Sequence, residues 1–196
     1  MLDRPDVSLG IRRTAAGVVL VDRSCGRCAS CTAGATLWCG QPEDEGRDLA
    51  LAVPADRAET LGAALAAAAA FVEAPAASTV LVVDEEDGPL AVLVQALSSA
   101  RVLVGPDPFD AALKAQLADV EPTGRAAVIV AGSDARAAVK AVRRGGHVCV
   151  GDPAARMPSV TELVQREVTL VGPRAVAGLI RRVGDPVWTA TVAAAA

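Results

Sequence analysis

Cys25, Cys28, Cys31 and Cys39 fall within fifteen residues, with the spacing C-x2-C-x2-C-x7-C. Thiolates are soft ligands, and four of them at this density can close a tetrahedral shell around one zinc ion. A shell made entirely of protein sulfur leaves no open position for water or substrate. Such an ion is structural: it holds in shape a stretch too poor in hydrophobic residues to fold around its own core. Gly26 and Gly34 relieve the backbone where the loop turns over the metal, and Arg23 and Arg27 supply positive charge against four thiolates. An iron–sulfur cluster and metal-free thiols are the competing readings. Against the cluster, the fourth cysteine comes late and no proline follows it. The fifth cysteine, Cys149, sits in the apolar run HVCVG and reads as a small buried hydrophobe.

Other chemistry-bearing residues are sparse. Asp84, Glu85, Glu86 and Asp87 form an acidic run, which reads as a solvated loop and an acidic cap on a following helix. It could also attract a divalent cation or a basic partner. His147 is the single histidine and lies at the start of an apolar strand, so a strand-end residue is the simpler reading than a metal ligand. Ser133, in Gly132-Ser133-Asp134, is expected to cap a helix. Arg143-Arg144 and Arg181-Arg182 read as surface charge, with the capacity to grip an anionic ligand. There is no P-loop, no H-E-x-x-H and no Ser-His-Asp arrangement.

The elements that must position these residues follow from the apolar patterning. The chain has 196 residues, 52% hydrophobic but only 2% aromatic, so its core must be built from Ala, Val and Leu. Residues 1–50 are rich in Arg, Gly, Cys and acids, with a short strand at Gly17–Val21 and a solvated turn at Gln41–Asp48. Leu61–Val72 is an alanine-rich apolar run, too short to span a bilayer and expected to be a packing helix. From Ser78 onward, β-branched runs at Thr79–Val83, Val102–Val104, Ala127–Val130, Val148–Val150 and Val168–Val171 alternate with helical stretches at Leu90–Ser98, Pro108–Ala118, Asp134–Arg143 and Ser159–Arg166. Continuous apolar strands alternating with amphipathic helices predict a parallel sheet covered on both faces. The expected class is α/β: a doubly wound Rossmann-like domain over residues 51–196, preceded by a small structural-zinc lobe over residues 1–50. The terminal VWTATVAAAA is expected to be an edge strand and a loose tail.

A net charge of −4 excludes a basic field for phosphate backbones, so nucleic acid is not an expected partner. The N-terminus lacks the apolar core of a signal peptide, and a membrane-free, cytoplasmic protein is expected.

CGRCASCTAGATLWCG resembles the structural-zinc loop of the medium-chain, zinc-dependent alcohol dehydrogenase family, C-G-x-C-x2-C-x2-G-x4-C, with glycines as well as cysteines in register. The resemblance continues in fragments to about Arg174: LAVPADRAETL is similar to the strand and helix leaving the catalytic domain, and PDPFDAALKAQLADV to the segment after the second Rossmann strand. RRGGHVCVGD resembles the family's R-P-G-G-x-V-x-x-G turn and strand, and REVTLVG its K-E-x-x-x-x-G strand.

The family implies more than this chain carries. A catalytic zinc in the family is held by a Cys, a G-H-E element and a further residue, upstream of the structural-zinc loop. The 24 residues before Cys25 contain neither Cys nor His. The nucleotide site is equally eroded, since TVLVV is followed not by G-x-G-x-x-G but by acids, with Gly88 the one glycine left. Pro89 removes an amide donor. The position of the ribose-binding acid falls at Gly105, with Asp107 two residues on as its possible substitute.

Asp84, Gly88, Gly105 and Asp107 thus mark a degenerate nucleotide site, which argues against NAD(P) bound in the usual mode. The expectation is a shortened, non-redox pseudoenzyme or binding scaffold with one structural zinc. It would act as a homodimer or as a subunit of a hetero-oligomer, or around a small molecule. Two alternatives stand beside it. One is a repurposed isomerase, cyclase or lyase drawing on Asp84 to Asp87, Asp107 and His147; the other is a residual NAD(P)-dependent oxidoreductase.

Overall fold

The computed structural model describes residues 9–14, 17–44, 46–48, 53–132, 134–151 and 156–195. Two sheets organise them. The first is antiparallel: β1 (Leu9–Thr14), β2 (Gly17–Asp22) and β3 (Arg47–Asp48) lie in the order β1-β2-β3. β2 falls where the sequence places a strand, whereas β1 carries no continuous apolar run and escapes sequence reading. β3 forms inside the segment expected to be a solvated turn, paired to the end of β2 through Val21–Asp48 and Asp22–Arg47. Val18 also bridges Val53, which ties this sheet to the chain leaving it.

The second sheet is parallel and holds β4 (Thr79–Val83), β5 (Arg101–Gly105), β6 (Val128–Ala131), β7 (His147–Val150) and β8 (Thr169–Val171) in the order β5-β4-β6-β7-β8. Its strands are apolar on both faces because both faces are covered. Val80, Val82, Val128, Val130 and Cys149 point to one side, where α2 (Ala58–Val72), α3 (Pro89–Leu97) and α7 (Ala177–Ala194) pack. Leu81, Ile129, Val148 and Val150 point to the other, against α4 (Ala111–Val120) and α5 (Ala135–Ala141), with Leu163 of α6 (Val160–Arg166) at the margin. The strand alternation therefore sorts one apolar set into two cores. The domain is doubly wound, with strand order reversing at β4.

Alanine richness in α2 has a packing reason. A Cβ at Gly151, just past β7, would lie 2.5 Å from the Ala63 carbonyl and 2.8 Å from Ala67 Cβ, so helix and sheet meet backbone to backbone. Side chains larger than methyl on that stripe of α2 would push the helix off the sheet. Cys149 is fully buried, and burial pushes its thiol up to about 12, as expected of a core hydrophobe.

Two local expectations are corrected. The cap of α5 is Asp134, whose carboxylate accepts from the Ala137 N–H at 2.9 Å; Ser133 lies outside the described residues. The Asp134 carboxylate satisfies an orphan amide and lies at the positive end of the helix. The VWTATVAAAA segment is helix, not strand: it closes α7, with a kink at Gly184 before Pro186. Burying Trp188 and Leu179 against α2 and α3 overrides the β-propensity of its Val and Thr residues.

Candidate functional site

The cysteine lobe begins where β2 ends. Asp22 accepts from the Ser24 N–H at 2.9 Å and turns the chain, and α1 (Ala29–Thr32) plus a 3-10 turn (Thr36–Trp38) bring the later cysteines back. Gly26 and Gly34 adopt φ of 70° and 76°, the left-handed region their positions had been expected to need. The four Sγ atoms lie within 4.8 Å of one another, with Cys39 3.5 Å from Cys25 and 3.8 Å from Cys28. Four 2.3 Å zinc–sulfur bonds in a tetrahedron place sulfurs about 3.8 Å apart. The cage therefore fits a single ion of that size.

Backbone amides also point at the sulfurs. Cys25 N–H and Gln41 N–H donate to Cys39 Sγ at 3.3 and 3.4 Å, and Cys28 N–H donates to Cys25 Sγ at 3.4 Å. Amide donors of this kind favour thiolate over thiol. Backbone N–H groups of Cys31 and Gly40 hold the Cys28 thiol down at about 6, and that of Arg27 lowers Cys25. Cys31 is the exception: burial and its neighbouring thiols push it up to about 12. A cation is what would let all four ionise together.

The lobe is fastened to the parallel domain by residues that sequence reasoning missed. Trp38 Nε1 donates to the Pro173 carbonyl at 2.8 Å, and Arg174 Nη2 donates to the Ala33 carbonyl at 2.7 Å. Arg174 also faces Glu73, past the end of α2, at 3.9 Å. The one available signal was a large indole in an otherwise polar loop, directly before Cys39. Trp38, Met157, Val150, Leu170, Val171, Gly172 and Pro173 enclose a cavity of about 190 Å³ beyond the carboxyl ends of β7 and β8. Its lining carries no titratable side chain.

Of the four positions expected to mark an eroded nucleotide site, Asp84, Gly88 and Gly105 come together. Asp84 N–H donates to the Gly105 carbonyl at 3.3 Å, joining the ends of β4 and β5. The Asp84 carboxylate then folds onto the start of α3: Oδ2 accepts from Leu90 N–H at 2.9 Å and Ala91 N–H at 3.0 Å. Gly88 leaves room for this, because a Cβ there would displace the carboxylate from its place. Every amide at this helix start is accounted for. Gly88 N–H goes to the Glu85 carbonyl at 2.9 Å, Pro89 has none, and Val92 N–H begins the helix on the Gly88 carbonyl at 3.0 Å.

Asp107 is also occupied: its Oδ1 accepts from Phe109 N–H at 2.8 Å in the exposed turn before α4. His147 stands half-buried at the opposite end of β7 from Val150, across the sheet from the acids and remote from the cavity beside Trp38.

No family model matches this chain, and no curated protein matches it in sequence. Solved structures do match. An alcohol dehydrogenase from E. coli, described as short chain and complexed with NADH, superimposes with TM-score 0.51 at 18% identity, covering 84% of this chain and 63% of that one. Acetophenone reductase from Geotrichum candidum, in complex with NAD, gives TM-score 0.54 at 15% identity over 91% of this chain and 65% of that one. Alcohol dehydrogenase TADH from Thermus sp. gives 0.51 at 18% identity, covering 92% and 68%. A Rossmann-like parallel sheet preceded by a four-cysteine lobe thus defines the class of architecture. The fold is that of the alcohol dehydrogenases, and the chain spans less than two thirds of the length of the first two. Among the described residues, no helix is long and apolar enough to cross a membrane.

Proposed function

We propose that this chain is a medium-chain alcohol-dehydrogenase relative acting as a non-redox binding scaffold, with zinc on Cys25, Cys28, Cys31 and Cys39 as a structural staple. The observation that carries the reading is the Asp84 carboxylate on the first free amides of α3. In Rossmann domains that helix start, with the glycine-rich turn before it, receives the pyrophosphate. Here an internal anion takes the same amides, with Glu85, Glu86 and Asp87 beside it, so a diphosphate meets repulsion and finds no free amide in the first turn of α3. The structural neighbours complexed with NADH and NAD supply the contrasting expectation.

Fluorescence titration with NADH and NADPH tests this. No saturable binding is expected up to about 1 mM, an affinity of only about 4 kcal/mol. Dissociation constants in the low micromolar range for either nucleotide would sink the proposal and favour a residual oxidoreductase.

A repurposed enzyme is less favoured, because the cavity beside Trp38 has no acid or base in its lining. That cavity suits binding of a small apolar group. The open edge of β8, with Val160 76% and Val164 69% exposed on neighbouring α6, supports self-association as a homodimer. A monomer by light scattering at micromolar concentration would remove that part.

A further inference from the structure

A second cavity, of about 220 Å³, lies at the amino ends of β4 and β5, at the other pole of the sheet from Asp84 and Gly105. Phe71 from the end of α2, Val80 from β4 and Leu97 from the end of α3 form its apolar wall, together with alanines. Ser98, Ser99 and Arg182 supply its polar atoms, and Arg182, from α7, is the one charged side chain in the lining. Among the described residues, no ion pair or hydrogen bond engages the Arg182 or Ser99 side chains. Ser98 Oγ accepts from Ala100 N–H at 3.0 Å and keeps its own hydrogen to donate. Each of these side chains can therefore still donate a hydrogen bond, and the guanidinium, which can only donate, carries full positive charge.

From this arrangement we infer a binding site for a small monocarboxylate with an apolar body. The volume bounds the body: a cavity of about 150 Å³ accepts benzene, so this one suits an acid the size of benzoate or hexanoate. The guanidinium accepts the carboxylate through paired N–H donors, with the serine hydroxyls beside it. Two helix ends, those of α2 and α3, also face this region and would by themselves repel an anion. Their terminal carbonyls are partly consumed by their caps, Glu73 N–H on Ala70, Ala74 N–H on Phe71 and Ser98 N–H on Val94. Affinity for an anion must therefore come from Arg182. The notable feature is that this cation, paired with Arg181 in the sequence, is left unneutralised over an apolar cavity.

The test is nitrogen-15 chemical-shift titration of the intact zinc-loaded chain with sodium benzoate and sodium hexanoate, beside benzyl alcohol and hexan-1-ol. Saturable shifts are expected to cluster at residues 71–77 and 97–100, with the acids binding at least about tenfold more tightly than the alcohols. Arg182→Gln should weaken the acids by about tenfold and leave the alcohols unchanged, while Arg143→Gln, an exposed arginine elsewhere, should change neither. Ser99→Phe, at an exposed position on the rim, should abolish all binding without loss of folding. Alcohols binding as tightly as acids would overturn the inference. So would an Arg182→Gln effect within about twofold, shifts clustering around Trp38, or no saturation below about 20 mM.

Discussion

The cysteine lobe and the start of α3 are both places where a fold of this kind gathers backbone amides around charge, and they have diverged. In the lobe, amides point at sulfurs and stabilise negative charge that still needs a cation: four Sγ atoms sit within 4.8 Å, and buried Cys31 resists ionising without one. At α3, amides point at a carboxylate the chain itself provides, and the account closes with nothing left over. One site could be completed by a cation; the other is complete already. A polar cluster thus reads as a binding site when its charge is uncompensated and as structure when it is balanced.

The largest expected effect comes from breaking the unbalanced side. Cys31→Ser removes a buried ligand, and a three-sulfur remainder cannot close the shell. Structural zinc contributes an apparent ~10–16 kcal/mol in small zinc-folded peptides, so loss of the metal should unfold residues 23–44 locally. Metal content should drop from one equivalent toward none, and amide protection in the lobe should vanish while the parallel sheet keeps its own. Retention of zinc and lobe protection would show that Cys31 is no ligand.

Breaking the balanced side should cost less. Asp84→Ala deletes the acceptor of two helix-start amides, and a lost cap of this type costs about 1–2 kcal/mol. Chemical denaturation should show that loss with an unchanged slope. If Asp84 is what excludes a dinucleotide, the same variant should gain measurable NADH affinity. A loss of stability with no gain in affinity would assign the exclusion to Glu85–Asp87 and Pro89 rather than to Asp84.

The contrast also explains what was legible in the sequence. The four cysteines and the five parallel strands could be read because each is a local pattern: a spacing of soft ligands, or a β-branched run bounded by turns. The acidic run after β4 was legible as a cap, but not which acid would do it, because the answer depends on how the turn folds the Asp84 carboxylate over Gly88 onto the Leu90 and Ala91 amides. Helix α7 was misread because Val, Trp and Thr favour strand locally, and only burial against α2 and α3 decides otherwise. Trp38 and Arg174 were missed because their partners, Pro173 and Ala33, are 135 and 141 residues away in sequence.

Those distant contacts give a third test. Trp38→Phe keeps the aromatic body but deletes the 2.8 Å bond to the Pro173 carbonyl, leaving that acceptor unpaired. The loss should be about 1 kcal/mol, with zinc retained. Faster exchange is expected at residues 172–174 but not at the cysteines. If zinc is lost as well, the lobe and its docking contact form one unit, and the separation drawn between fastening and metal cage fails.

The smallest effect lies at an exposed, internally balanced site on the far face. Glu162 accepts from Ser159 N–H at 2.8 Å in a capping box on α6, and pairs with Arg136 of α5 at 3.0 Å. The Ser159 amide, then Arg136, holds its carboxyl down at about 2, below its ordinary 4.5. The folded state thus prefers the ionised form more than the unfolded state does. The contribution is fully present above about pH 4.5 and is lost as pH falls toward 2. Solvent screens the site, so the effect should be small. Melting temperature should fall more steeply for the wild type than for Glu162→Gln between those two values, and the two curves should run parallel above pH 5. Parallel curves throughout would mean that the cap is satisfied as well by a neutral amide. The α5–α6 contact would then owe nothing to charge, unlike the cysteine cage, where ionised ligands are a condition of binding the metal.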